Sequence, residues 1–419
     1  MKKSKRVSLS ILVLMVMIGA MAFGKTTIDV ACFPDQDSGF KSMLEGFNEK
    51  YPDIEVKIKV NGFAEHHDAL LTQIAAGANV PDVATIEIGY IGNFVAKGGF
   101  VNLMDAPYNA GQYKKNIVPY KWAQGTTKDG RMVAMPLDIA PGTLYTREDR
   151  LNEMGYTIED MVTVDKWLEA GLKFSQDLDG DGKNDRWLVP NAQDLATMMI
   201  KSGEERYFDK EGKCLVGNER FIEGFKLAKK VKDLGLDGGI GAWTNEWYEA
   251  FKNGTILMQP SGAWLGGHLK NWMAPDTAGK WKALNLPNGL YINWGGAFMG
   301  IPERSDKKEA AWKFIEYAAT NIRPQLEQFE ASNIFPAWMP SFEDPMFEEE
   351  SAFFGGQKVR KQWAEAAKNV PVIQTDKFDK MAETIVNSAL TDVLENDRDP
   401  EEALEEAKRL IERRTRRRR

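Results

Sequence analysis

At 419 residues the chain exceeds what one hydrophobic core comfortably serves, and its 43% hydrophobic residues suffice for two domains. Its formal charge of −7 becomes −11 once the four basic residues among the first 24 are set aside, which argues against nucleic acid or anionic membrane as a general partner. Twelve Trp are more than packing alone needs and hint at a surface for flat, amphipathic ligands, although any single one is more readily explained as core.

Residues 1–24 read as an export leader. Lys2, Lys3, Lys5 and Arg6 form a positive start, residues 7–18 an apolar run, and Ala22-Phe23-Gly24 or Ala20-Met21-Ala22 a cleavage site. The run is too short to span a membrane, and no later segment approaches the required length. The mature protein is therefore expected to be soluble, in the periplasm or secreted. Cys32 lies beyond the cleavage point, so no lipid anchor is expected.

From Lys25 the pattern alternates strand and helix, as an α/β sheet requires. Residues 27–33 make a first strand, followed by the polar loop 34–39 and an amphipathic helix marked by Phe40, Met43, Leu44 and Phe47. Residues 54–60 alternate as a second strand, 68–76 form a helix closed by Gly77, and 82–88 make a third strand. A helix then runs to Lys97 and stops at Gly98-Gly99. Trp247 and Phe251 share a helical face and read as core, whereas Trp243 follows a Gly-rich loop. Near the end, 294–320 opens with Gly295-Gly296, continues as a strand to Ile301, breaks at Pro302, and enters a helix with Ser305 or Asp306 as N-cap. Ala311, Phe314, Ile315 and Ala318 give that helix its apolar face. A strand and packed helix so late suggest a return to the earlier domain. The closing run Arg413 to Arg419 reads as the solvated end of a last helix, with contact to an envelope polymer or partner as the alternative.

The stretches F-N-E-K-Y-P-D-I-E-V-K-I, L-L-T-Q-I-A-A-G-A-N-V-P-D-V-A and F-V-A-K-G-G-F-V-N-L come first, then M-V-A-M-P-L-D-I-A-P-G-T-L-Y-T-R-E-D-R-L, K-N-G-T-I-L-M-Q-P-S-G-A-W and the 294–320 segment. In that order and spacing they resemble the extracellular solute-binding proteins of ABC importers, sugar-binding family 1, the branch that includes maltose-binding protein. The resemblance covers nearly the whole mature chain. It implies a type II periplasmic-binding-protein fold: two α/β lobes, each a mixed, mostly parallel sheet flanked by helices, joined by hinge crossovers. The lobes would be 25–137 plus 298–333 and 138–297 plus 334–419. It further implies a monomer that captures a carbohydrate between lobes by hinge closure and delivers it to membrane permease subunits. Cys32 and Cys214 then belong to lobes that move, and are expected to stay unpaired.

In open α/β sheets ligands gather outside the carboxyl ends of strands. That rule selects Asp35, Gln36 and Asp37 after the first strand and Glu87 and Tyr90 after the third; helix capping explains each acid singly just as well. From the family motif, Asp138 and Trp264 face the cleft, the latter in a position that typically stacks on sugar. Trp294 beside Gly295 is expected at the hinge, with Trp243 and Trp338 as further lining candidates. A pyranose ring loses water favourably against an indole while its hydroxyls need acceptors and donors, so carboxylates with Trp suit a neutral sugar.

No cofactor is required by this reading, but residues 177–185 could hold a structural Ca²⁺. Asp177, Asp179, Asp181 and Asp185 occupy positions 1, 3, 5 and 9 of a calcium loop, with Gly182 at position 6 and the Lys183 carbonyl at 7. Position 12 is Leu188 in place of a bidentate Glu, so another acid, such as Asp194, would have to complete the shell. The bland alternative is an acidic turn. Among enzymes, a secreted glycoside hydrolase with a carboxylate pair is the competing reading. The three His make no H-E-x-x-H, neither G-x-S-x-G nor a P-loop occurs, and His66 and His67 are adjacent on a helix, where they diverge.

Overall fold

A computed structural model describes residues 25–416 apart from Glu204; the expected leader and the last three arginines lie outside the described residues. Strand β1, Thr26–Cys32, turns Ile28, Val30 and Cys32 inward by simple alternation. Helix α1, Gln36–Lys50, buries Phe40 and Phe47 edge-on against Phe314, at centroid distances of 5.4 and 5.5 Å. Strand β2 is Ile54–Val60, and helix α2, Phe63–Ala76, stops at Gly77, whose φ of 63° suits a residue without Cβ. α2 begins earlier than its sequence period predicts, because His66 and His67 face inward and bond the backbone carbonyls of Thr85 and Phe63. Strand β3, Val83–Glu87, leads straight into helix α3, Ile88–Lys97, and α4 is the short helix Pro119–Gln124.

Two sheets result. In the larger, order β2-β1-β3-β8-β4, β1 runs parallel to β2 and β3, while β8 (Ala297–Gly300) enters antiparallel between β3 and β4 (Met135–Pro136). The late strand thus does return to the first sheet. The second sheet, order β6-β5-β7, is built from β5 (Gly142–Arg147), β6 (Met258–Gly262) and β7 (Trp281–Leu284). Here strand sense differs from the expected mostly parallel arrangement: β5 carries the chain away from the junction and both neighbours carry it back, so both pairings are antiparallel. Among the described residues of this half, the bridges Trp187 to Ile256 and Val189 to Asp237 are parallel.

One core lies around the first sheet, with Ile28, Val30, Phe40, Phe47, Phe314 and Ile315, and another gathers Leu144, Leu188, Phe221, Phe225, Leu257 and Val386 on the second. The helix Lys308–Thr320 buries Ala311, Phe314, Ile315 and Ala318 as its period predicts, but neither Ser305 nor Asp306 is its N-cap. The Ser305 hydroxyl donates instead to Asp82 Oδ1 at 2.7 Å and accepts from the Lys307 N–H, so the helix starts later without a side-chain cap. Cys32 and Cys214 are both buried and free.

Between the sheets three stretches of chain run side by side. The Leu137 and Asp138 N–H groups donate to the Ala297 carbonyl, and the Ile139 N–H donates to the Phe335 carbonyl at 2.9 Å. Asp138 also forms a bridge with Pro336. Residues 137–139 therefore sit between 296–297 and 335–337.

Candidate functional site

Beside this junction a cavity of about 500 Å³ opens between the two sheets. The first sheet contributes the carboxyl ends of β1 and β3. Phe33 and Pro34 leave β1, and Asp35 takes a φ of 73° so that the chain can turn into α1, whose first residue is Gln36. Glu87 ends β3 and caps α3: its Oε2 accepts the Gly89 N–H at 2.6 Å while its own N–H donates to His67 Nε2. His67 is thereby fixed as the Nδ1–H tautomer, donating to the Phe63 carbonyl. For Glu87 capping and cavity lining are both true; Asp35 occupies the N-cap position without making a side-chain cap bond.

The second sheet supplies an aromatic wall. β6 ends at Gly262, where a Cβ would meet Trp264 Nε1 at 2.4 Å, so only glycine lets the indole fold back over the strand end. Trp264 Nε1 donates to the Trp294 carbonyl at 3.3 Å, and Trp243, held at φ 66° and half exposed, stacks on Trp264 with centroids 5.5 Å apart and planes 22° apart. One turn beyond Trp264, His268 accepts the Trp272 indole N–H on Nδ1, which leaves its Nε2–H toward Asp35 Oδ2 at 3.7 Å across the cavity. Burial holds the His268 imidazole below its ordinary range, with Asp35 opposing.

The junction forms the floor. Asp138 Oδ1 accepts the Ala297 N–H at 2.6 Å, and Gly295 and Gly296 take φ values of 147° and 98°. Burial pushes the Asp138 carboxyl up to about 6, opposed by Lys121 and by the Ala297 N–H; burial also raises Glu87, opposed by the Gly89 N–H.

Of the residues expected from sequence, Asp35, Gln36, Glu87, Asp138, Trp243, Trp264, Trp294 and Gly295 line this one cavity. Three do not. Asp37 turns onto the α1 surface and pairs with Lys41 at 2.6 Å, the usual (i, i+4) arrangement. Tyr90 stacks on His67 at 4.0 Å and lies under the Lys380 ammonium. Trp338 is buried in the first core, edge-on to Tyr113. Gly296 lines the cavity beside Gly295, as the glycine pair next to Trp294 suggests, and Phe33, Phe63, His268, Ser332, Asn333 and Ile334 line it without a motif that points to them. His268 alone had a local signal, its four-residue offset from Trp264; the stretch 332–334 reaches the cavity only through the third passage of the chain.

In the loop 177–185, carboxylate oxygens of Asp177, Asp179 and Asp185 lie within 4.8 Å of one another. Asp181 is outside that group and accepts the Lys183 N–H. Asp177 accepts the N–H groups of Gly180 and Gly182, and Asp185 that of Leu178. Asp194 does not supply the missing ligand: it is held by Gln259 Nε2 at 2.8 Å, and Leu188 is in the core.

Two sheets, a triple crossing and a cleft at strand ends define the class: a type II binding protein of the kind that encloses a solute between two lobes. Residues 42–355 match the family model of bacterial extracellular solute-binding proteins, and the chain belongs to that family. It is similar to an arabinooligosaccharide-binding protein of Halalkalibacterium halodurans, 24% identical over 89% of this chain and 86% of that one. A lactose-binding protein of Rhizobium radiobacter is 25% identical over 83% of each. Among solved structures, the ABC-transporter-associated binding protein of B. animalis subsp. lactis, in complex with β-1,6-galactobiose, superposes with a TM-score of 0.75 over 93% of this chain and 97% of that one, at 24% identity. The GacH receptor of Streptomyces glaucescens gives 0.76 over 93% and 98%, at 17% identity.

Proposed function

We propose that this protein captures a neutral mono- or oligosaccharide in the cleft and delivers it, as a monomer, to the permease subunits of an ABC importer. The observation that carries the reading is the stacked Trp243–Trp264 pair facing Asp35, Glu87 and Asp138 across one cavity: indole faces for the C–H side of a sugar ring, carboxylates for its hydroxyls. The relatives named for arabinooligosaccharides and lactose support the same ligand class. The lobes are 25–137 plus 298–333 and 138–297 plus 334–419, and they close about the triple crossing. A ligand touching both gains most of its contacts in the closed state and so shifts the population toward it. The chain is not an enzyme in this reading. Residues 1–24 are removed on export to the periplasm or medium, and among the described residues no helix is long and apolar enough to cross a membrane. The acidic loop 177–185 takes a structural Ca²⁺ through Asp177, Asp179 and Asp185, with the Lys183 carbonyl and water completing the shell.

Thermal-shift screening of the mature protein against mono- and oligosaccharides tests the reading. One or more sugars raise the melting temperature and are recovered intact. No shift across the panel would refute sugar capture, and cleavage of glycosidic bonds would favour the hydrolase.

A further inference from the structure

Lys121, on α4, is 0% exposed, and its ammonium has no hydrogen-bond partner among the described residues. It rests over the Phe298 ring, 3.9 Å from the centroid. A buried, unpaired ammonium is unfavourable unless nearby charge offsets it. The charged groups acting on it are the carboxylates of Asp138 and Glu87, which favour its charge, and Arg206, which opposes it. Asp138 and Glu87 both line the cavity.

Gly296 lines the cavity, and this ammonium lies on the side that a side chain at 296 would take. A Cβ at position 296 would stand 2.8 Å from Lys121 Nζ, 2.6 Å from the Asp138 carbonyl and 3.0 Å from Ile139 Cα. The lysine thus fills the room that the missing side chain leaves, directly behind the floor. One Asp138 oxygen is committed to the Ala297 N–H, and the other is available to a ligand.

We propose that Lys121 is a positioning residue for ligand binding: from behind Gly296 it keeps Asp138 ionised, so that the cleft offers a charged acceptor to a ligand hydroxyl where the lobes meet. The consequence for affinity rests on the carbohydrate reading; the charge coupling does not. Burial takes the Lys121 amine down to about 7, opposed by Asp138 and Glu87, and it takes Asp138 in the other direction. Each group therefore holds the other's charge. Glu87 also acts on Asp138 and disfavours the ionised form, and Asp138 in turn adds to the burial that raises the Tyr120 phenol well above its ordinary value. Removing the cation raises the Asp138 carboxyl further, leaving it protonated at pH values where the native protein carries the charge. A hydrogen bond to a charged acceptor is the stronger kind, so affinity falls with it.

Lys121→Met and Asp138→Asn in the full mature chain test this. First, without ligand, the aspartate carboxyl carbons are titrated by ¹³C NMR, Asp138 being assigned by its absence in Asp138→Asn. Its midpoint is expected near 6 in the native protein and higher by roughly one unit in Lys121→Met; an unchanged midpoint overturns the proposal. Second, lactose and arabinotriose binding is measured by calorimetry from about pH 5 to 8. Native affinity weakens as pH falls through the Asp138 midpoint, Lys121→Met binds about twofold more weakly at pH 7 and up to ~10-fold more weakly near pH 5, and Asp138→Asn loses this pH dependence. A native pH profile in either variant overturns the proposal. If Lys121→Met fails to fold, Lys121→Gln takes its place in both measurements. If neither sugar binds to any form, carbohydrate capture is what fails, and the carboxyl titration still decides the role of Lys121.

Discussion

Trp264 is where indole chemistry and chain geometry meet: it is stacked by Trp243 on one side, held by the Trp294 carbonyl, and free to bend back only because residue 262 is glycine. Trp264→Ala is expected to weaken saccharide binding by about 2 kcal/mol or more, as loss of an aromatic anchor does. Calorimetry with whichever sugar shifts the melt checks this, and undiminished affinity would remove Trp264 from the site. Asp379 offers a stability test away from the cleft. Burial raises its carboxyl to about 7, opposed by Arg206 and by the Asp376 N–H. Its folded value lies above its unfolded value, so its contribution is present at acid pH and is lost as pH rises from about 3.8 through about 7. Asp379→Asn, which keeps an oxygen for the Asp376 N–H, is expected to gain on the order of 2–4 kcal/mol over the native protein at pH 8 and little at pH 4. Denaturant unfolding at the two pH values measures it; an equal gain at both would mean the charge is not the cause.

At the scale of elements, strand ends do the selecting. Asp35 and Glu87 are legible in sequence because β1 and β3 are short apolar runs that end abruptly, and ends of strands are where loops converge. Asp37 and Tyr90 follow the same rule and miss the cavity, because once a helix begins, successive residues fan out by about 100° and only some point back. The acidic loop 177–185 makes a further test: a calcium ion bound to the native state alone raises stability by mass action. Added Ca²⁺ is therefore expected to raise the melting temperature and a chelator to lower it. Identical melts in both would leave the loop as a turn tied by its own Asp-to-backbone bonds.

At the scale of the whole molecule, three antiparallel passages of chain at 137–139, 296–297 and 335–337 lie between two sheets that each carry a core, while a further apolar cluster with Tyr120, Tyr145, Trp247 and Phe329 draws on both sides. In the proposed closure, bending at these passages changes a few backbone torsions while the core around each sheet moves as a unit. Small-angle scattering of the mature protein is expected to show a smaller radius of gyration with the sugar that binds than without it. Profiles that coincide while calorimetry records binding would exclude closure as the mechanism.

Local pattern carried the alternation of strand and helix, the apolar faces of α1 and of Lys308–Thr320, and the return of the late strand, because periodicity and turn residues act over a few residues. Motif order added Asp138 and Trp264. What pattern could not reach was the antiparallel sense of the second sheet, which depends on where each strand starts relative to the junction. Nor could it place Ser332–Ile334 in the cleft, give Ser305 to Asp82, or set Lys121 behind Gly296. Those neighbours are brought together from stretches more than a hundred residues apart, and only the packed chain decides which long-range partner wins over the local one.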